Sequence, residues 1–218
     1  METIIVWILA FVVAITVHEA AHAWMADKLG DPTPRLMGRL SLNPIVHYDP
    51  VGTTLLLVLV LMRALGIPVI PFGWAKPVVF DPYNLKNPRR DAALISLAGP
   101  LSNITLAVIL SILLRISLSP FSPYLFLSGI LIPIIILNVI LALFNLVPVH
   151  PLDGGKILVG LLPAKEAREV EIFLRQYGTI ILFLLIIPVF GGTSPVFVIL
   201  QPALNFLLSI LIPGNPVI

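Results

Sequence analysis

The sequence predicts an all-α polytopic membrane protein: about five to six transmembrane helices plus a re-entrant, partly extended segment near residues 51–80. Three observations carry that prediction. Of 218 residues, 58% are hydrophobic and only 11% charged, with mean hydropathy +1.06, more apolar surface than a soluble domain hides. Apolar runs of membrane-crossing length recur along the chain. No polar stretch is long enough for a separate soluble unit, so residues 1–218 read as a single domain.

The first run covers residues 3–26. Its start, METIIVWILA, lacks the basic region and small-residue cleavage site of a signal peptide, so a retained span is expected. Further spans are expected near 92–116, 124–146, 176–191 and 195–212. The run from Val51 to Ile70 is broken by Arg63, Gly66 and Pro68. Two polar loops, 30–50 and 72–91, are rich in turn residues. Residues 165–177 are amphipathic and fit either a helix along the membrane surface or a charged connecting helix.

Charge parity settles the broken run. If Val51–Ile70 dips into the bilayer and returns through IPVIPFGWAKPVV, three segments share one side: the end of the first span, the start of 92–116 and the loop after 146. Eleven of the thirteen Lys and Arg residues then fall on that side, with Arg115 opposite and Arg63 inside the dip. A full crossing divides the charges without bias. The positive-inside rule favours the dip and places the shared side in the cytoplasm. Non-helical backbone at membrane depth must be buried in protein or line a watery cavity, so the dip should wall a site. The net charge of +2 is explained by these loops and gives no reason to expect nucleic acid. The absence of Cys excludes disulfides and thiolate metal sites.

The chemistry is concentrated in HEAAH, residues 18–22, inside the first span. His18 and His22, four residues apart, lie one above the other on a helix face, which suits two ligands of a tetrahedral Zn2+. Glu19 then stands beside the ion as a general base for water. Ionisable groups within a span are expensive and mark function by default. A third protein ligand is required. His47, Asp49, His150 and Asp153 are the candidates, and parity favours Asp153. It sits in FNLVPVHPLDGGKIL, where prolines break the helix and glycines allow a close turn. Asp153 also fits the N-cap of a short helix, GGKILVGLL, and one carboxylate can serve both roles.

Together HEAAH (18–22), LAGPLSN (97–103) and NLVPVHPLDGG (145–155) resemble the site-2 protease family of intramembrane zinc metalloproteases. GRLSLNPIVHYDPVGT (38–54) and FGWAKPVV (72–79) are similar to its compact prokaryotic branch, which lacks PDZ and CBS domains. The resemblance implies one Zn2+ held by His18, His22 and Asp153, with Glu19 as general base. It implies that Asn145 holds substrate or an oxyanion, against the bland reading of an interhelical hydrogen bond. Asn103 is expected to buttress helices after a kink at Gly99-Pro100. His47 and Asp49 are expected to form a loop turn, His150 to be an exposed loop residue, and Lys76 and Trp74 to be interface anchors.

The implied partners are a transmembrane-helix protein substrate and membrane lipid, and the implied location is a prokaryotic cell membrane. An unwound substrate strand could add to the extended leg GWAKPVVF. Two other classes compete. A divalent-metal transporter explains intramembrane histidines but not the Glu after the first, and residues 176–191 and 195–212 offer few polar ligands. A catalytically inactive scaffold would not need the intact HEAAH and Asp153.

Overall fold

The computed structural model describes residues 2–65, 73, 76–119, 122–188 and 193–214. Helix α1 (Glu2–Lys28) has 27 residues. At 1.5 Å per residue it is about 40 Å long, enough to cross a hydrocarbon core of about 30 Å. Ala10, Ala14, His18, His22 and Ala26 are all buried and recur every four residues, so they share one stripe. The alanines leave no bulk on that stripe, which lets a neighbouring backbone come close.

Helix α1 ends because Gly30 takes φ +106. Gly30 N–H then donates to the Asp27 carbonyl at 3.2 Å and Asp31 N–H to the Ala26 carbonyl at 3.0 Å, the reciprocal closure of a Schellman motif. Asp31 is fully buried and acts as a hub. Its Oδ1 accepts from Thr33 N–H, Thr33 Oγ1–H and Asn84 Nδ2–H, and its Oδ2 from Asp81 N–H at 2.8 Å. Burial alone would raise its pKa, but these donors outweigh it and hold the carboxyl below its ordinary value. The hub ties the end of α1 to the segment that returns after residue 76.

Helices α2 (Thr33–Leu36) and α3 (Gly52–Ala64) follow, separated by a 3-10 turn at Pro44–His47. The centre of the molecule is α4 (Pro88–Ser117). Its buried stripe also steps by four residues: Ile95, Gly99, Asn103, Ala107, Ser111. Matching four-residue ridges are the commonest way for two helices to interlock. Helix α4 packs against α1, α5 (Ser128–Asn145) and α6 (Asp153–Leu161). Helix α7 (Ala164–Ile186) lies on α6, and α8 (Pro195–Leu211) on α5. The apolar core joins Ala107 and Leu114 to Ile135 and Val139 and to Leu208 and Leu211. Ile109, Ile112, Leu113 and Ile116 of α4 are exposed, as expected of a lipid-facing side.

The protein is thus all-helical among the described residues apart from loops. Among the described residues, three helices are long and apolar enough to cross a membrane: Ile4–Lys28, Pro88–Ser117 and Leu125–Asn145. The shorter α8 is also apolar.

Two expectations meet the structure differently, and a third, the re-entrant segment, falls partly outside the described residues. Helix α3 has 13 residues, about 20 Å, too short to cross alone. The start of the expected return leg, including Trp74, lies outside the described residues, whereas 76–81 carry no regular secondary structure. The amphipathic 165–177 stretch is not a separate surface helix. It continues into the next apolar run as the single α7, because nothing between them stops a helix. Gly178, mid-helix, is where α7 meets His150; a Cβ there would lie 2.7 Å from the His150 Cβ. Finally, Asp153 is not an N-cap. Leu152 caps α6, and no side-chain cap forms. The Asp153 carboxylate, on the first helical residue, is turned instead toward α1.

Candidate active site

His18, Glu19 and His22 come from α1, and Asp153 from the first turn of α6, and α4 packs against both helices. All four side chains are buried. His18 Nε2 lies 3.1 Å and His22 Nε2 3.2 Å from Asp153 Oδ2. The two rings are perpendicular, with centroids 4.6 Å apart.

The protonation of both rings follows from what their other nitrogens touch. His22 Nδ1 is 2.7 Å from the Ile95 carbonyl, which can only accept, so Nδ1 carries the proton. For His18 the argument runs through two amides. Asn138 Nδ2 donates to the Ile134 carbonyl at 2.8 Å, which leaves Asn138 Oδ1 to accept from Asn103 Nδ2 at 2.7 Å. Asn103 Nδ2 also donates to the Ala14 carbonyl at 2.9 Å. Asn103 Oδ1 therefore faces His18 Nδ1 at 2.6 Å, and that nitrogen is the donor. Asn103 and Asn138 are fully buried, so no water competes with this chain.

With Nδ1 the donor, each neutral ring turns its Nε2 lone pair to the same carboxylate oxygen, an arrangement of three electron-pair donors that a bound cation would hold together. Donors about 2.1 Å from a tetrahedral Zn2+ stand about 3.4 Å apart, close to the two Nε2–Oδ2 distances here. Among the described residues, His18, His22 and Asp153 form the group of donors close enough for one metal ion, with ligand atoms within 4.8 Å. They line a cavity of about 120 Å³ with Glu19, Ser96, Asn145, Pro77, Val78 and Lys156. The buried Ser96 hydroxyl in its wall has no protein partner among the described residues, as suits a site that holds water. The donor set therefore fits Zn2+.

Glu19 Oε2 accepts from Val78 N–H at 3.0 Å, so the irregular 76–81 segment closes over the site. Asn145, the last residue of α5, lines the same cavity and donates from Nδ2 to the Leu141 carbonyl at 2.9 Å. The other candidates lie apart. His47 is buried in its turn, with Nε2 2.9 Å from the Ser41 carbonyl. Asp49 Oδ1 accepts from Val51 N–H at 3.0 Å and Gly52 N–H at 2.7 Å, starting α3. His150 lines a different, larger cavity. Lys76 is exposed, its N–H donating to the His47 carbonyl at 3.0 Å.

Three contributors escaped the sequence reading. Asn103 does more than buttress helices, since it orients His18; Asn138 orients Asn103. Gly99, read as part of a kink, gives the histidines their room: a Cβ there would stand 2.5 Å from His22 Nε2. The signal was present. Asn103 and Asn138 are amides inside apolar runs, where polar groups earn suspicion. Asn103→Ala is expected to weaken zinc binding about 10–100-fold. A buried Nδ1–H would lose its acceptor, and the ring would be free to turn. Asn103→Asp keeps an acceptor for His18 but sets a buried carboxylate against the Asn138 Oδ1 and the Ala14 carbonyl, so it should lose affinity as well. Competition with a chelator measures both, and unaltered affinity in Asn103→Ala would refute the role.

Fold and donor set together define a class, the metal-dependent hydrolases of the membrane. The profile of Peptidase family M50 matches residues 125–187, which hold α5, Asp153, α6 and α7. Over 205 residues the chain is 38% identical to "Putative zinc metalloprotease YwhC" of Bacillus subtilis, covering 91% of this chain and 85% of that protein. It is 32% identical over 186 residues to "Putative zinc metalloprotease Rip2" of Mycolicibacterium smegmatis, covering 83% of this chain and 66% of that one. Rip2 of Mycobacterium tuberculosis is 26% identical over 187 residues, covering 85% and 68%. No solved structure matches. The chain belongs to Peptidase family M50, the site-2 protease family, and is a zinc metalloprotease that acts on protein.

Proposed function

We propose that this protein hydrolyses peptide bonds within or next to the transmembrane segments of membrane-anchored substrates, with its metal near the cytoplasmic face. The observation that carries the reading is the convergence of His18, His22 and Asp153 beside Glu19, with the two histidines and Glu19 on a helix of membrane-crossing character. A re-entrant Val51–Ile70, which would put eleven of the thirteen basic residues on one side, supports the orientation.

In this reading His18, His22 and Asp153 hold the ion. When bound, Zn2+ supplies Lewis acidity toward the scissile carbonyl and toward water. Glu19, held at Oε2 by Val78 N–H, takes the proton from the attacking water and passes it to the leaving amine. Asn145 turns its amide toward the carbonyl oxygen as negative charge develops there. A helical substrate must unwind first, and 76–81 offers it an edge. The N–H groups of Lys76 and Val78 are engaged inward, and Pro77 has none. Val79, the next residue, is exposed, and in this reading its N–H would serve an incoming strand.

The test is cleavage of a single-span substrate in vesicles, with the scissile bond located by mass spectrometry. The bond is expected in or beside the span, and Val79→Pro should slow cleavage about 10-fold, the loss of one hydrogen bond. Cleavage confined to a distant soluble region would reject the intramembrane reading. An unimpaired Val79→Pro would reject strand addition.

A further inference from the structure

A second and larger cavity, about 360 Å³, adjoins the first, and Phe80 and Lys156 belong to the walls of both. Its floor is apolar, with Ala92, Val159 and Leu174. Its rim is cationic, and the charges come from three separate elements: Arg89 from the first turn of α4, Lys156 from α6 and Arg175 from α7. Lys156 Nζ sits 5.4 Å from the Phe80 ring centroid, above the partition between the cavities. Glu171 is the acidic member of the lining and pairs with Arg175 at 3.5 Å. Arg175 thus already accepts a carboxylate as neighbour. The pair is exposed and one turn apart on a helix, a weak arrangement that a second carboxylate can join or displace. His150 reports the field inside. Its pKa is lowered by burial first, and then by Lys156 and Arg175.

Resting on the proteolytic reading above, we propose that this cavity is a substrate subsite that selects an acidic side chain close to the scissile bond. The shared wall argues for substrate. Lys156 follows Asp153 by three residues, a rise of about 4.5 Å, which an extended chain covers in one to two residues. A peptide bound at the metal therefore reaches the cationic rim with its next few side chains. Three cations against one carboxylate leave the rim unneutralised, and the apolar floor removes part of the water that would screen a bound acid. A lipid headgroup would be drawn to the same charges but has no reason to share a wall with the catalytic cavity.

The experiment uses the full chain in vesicles of phosphatidylcholine alone. Matched single-span substrates carry Asp, Asn or Lys at each of the five positions on either side of the cleaved bond. At one or two positions Asp should exceed Asn about 10-fold in kcat/KM, with Lys below both. The double variant Arg89→Gln/Arg175→Gln should cleave the Asn substrates at the wild-type rate and lose the Asp advantage. Arg175→Glu alone should shift preference toward Lys, which keeps the test open if the double variant misfolds. Equal wild-type rates for Asp and Asn would overturn the proposal. So would an Asp advantage that survives both variants, or equal loss of all substrates. Stimulation by phosphatidylglycerol, lost in the variants and indifferent to substrate charge, would reassign the cavity to lipid. If the wild type cleaves none of the substrates, the intramembrane reading falls, an outcome distinct from cleavage without charge preference.

Discussion

Glu19→Gln is expected to cut peptide cleavage by about 10³-fold or more while leaving one zinc per chain. Glutamine has the shape of glutamate, and its amide oxygen can still accept from Val78 N–H, so the 76–81 segment should stay in place. What it cannot do is take a proton from water near neutral pH. The three proposed ligands are untouched, which separates this change from Asp153→Ala, where the ion would lose its only carboxylate. The measurement pairs kcat/KM on a single-span substrate with total metal analysis of the same preparation. Full activity in Glu19→Gln would end the assignment of Glu19 as general base. Loss of both activity and zinc would show that Glu19 acts on the metal and not on the water.

Much of this site was legible because its chemistry is local. HEAAH declares two donors on one helix face without any tertiary information, since helical spacing alone brings positions 18 and 22 together. Asp153 required the chain to return, and charge parity across the loops indicated which later segment could meet α1. The orientation of His18 was less visible. It depends on Asn138 and Asn103, on two other helices, whose pairing no local pattern announces. The N-cap expectation for Asp153 failed for a related reason. Local preference favours an acidic cap, but the two imidazoles that Asp153 faces across the bundle are tertiary neighbours, which local preference does not register. The continuity of α7 is not visible in the sequence, because its amphipathic first half and apolar second half carry different patterns along one helix.

Gly99→Ala is expected to empty the site, and the sign of the effect discriminates between two physical accounts. By helix propensity alone, Ala in place of Gly inside α4 should stabilise by about 1 kcal/mol. By packing, the new Cβ would lie 2.5 Å from His22 Cε1 and Nε2 and 2.7 Å from His18 Cε1, distances no real Cβ tolerates. The histidines cannot swing aside cheaply, since His18 is bonded to Asn103 and His22 to the Ile95 carbonyl of the same helix. Either α4 retreats from α1 and breaks those bonds, or the rings leave Asp153. Both routes scatter the three donors, so zinc content should fall at least about 10-fold and cleavage with it. Gly129→Ala, near the start of α5, is the control: its Cβ would meet nothing within 4 Å, so zinc and activity should be unchanged. Metal analysis of both variants beside wild type decides. Wild-type zinc occupancy in Gly99→Ala would show that the close approach of α4 to the HEAAH helix is not what builds this site.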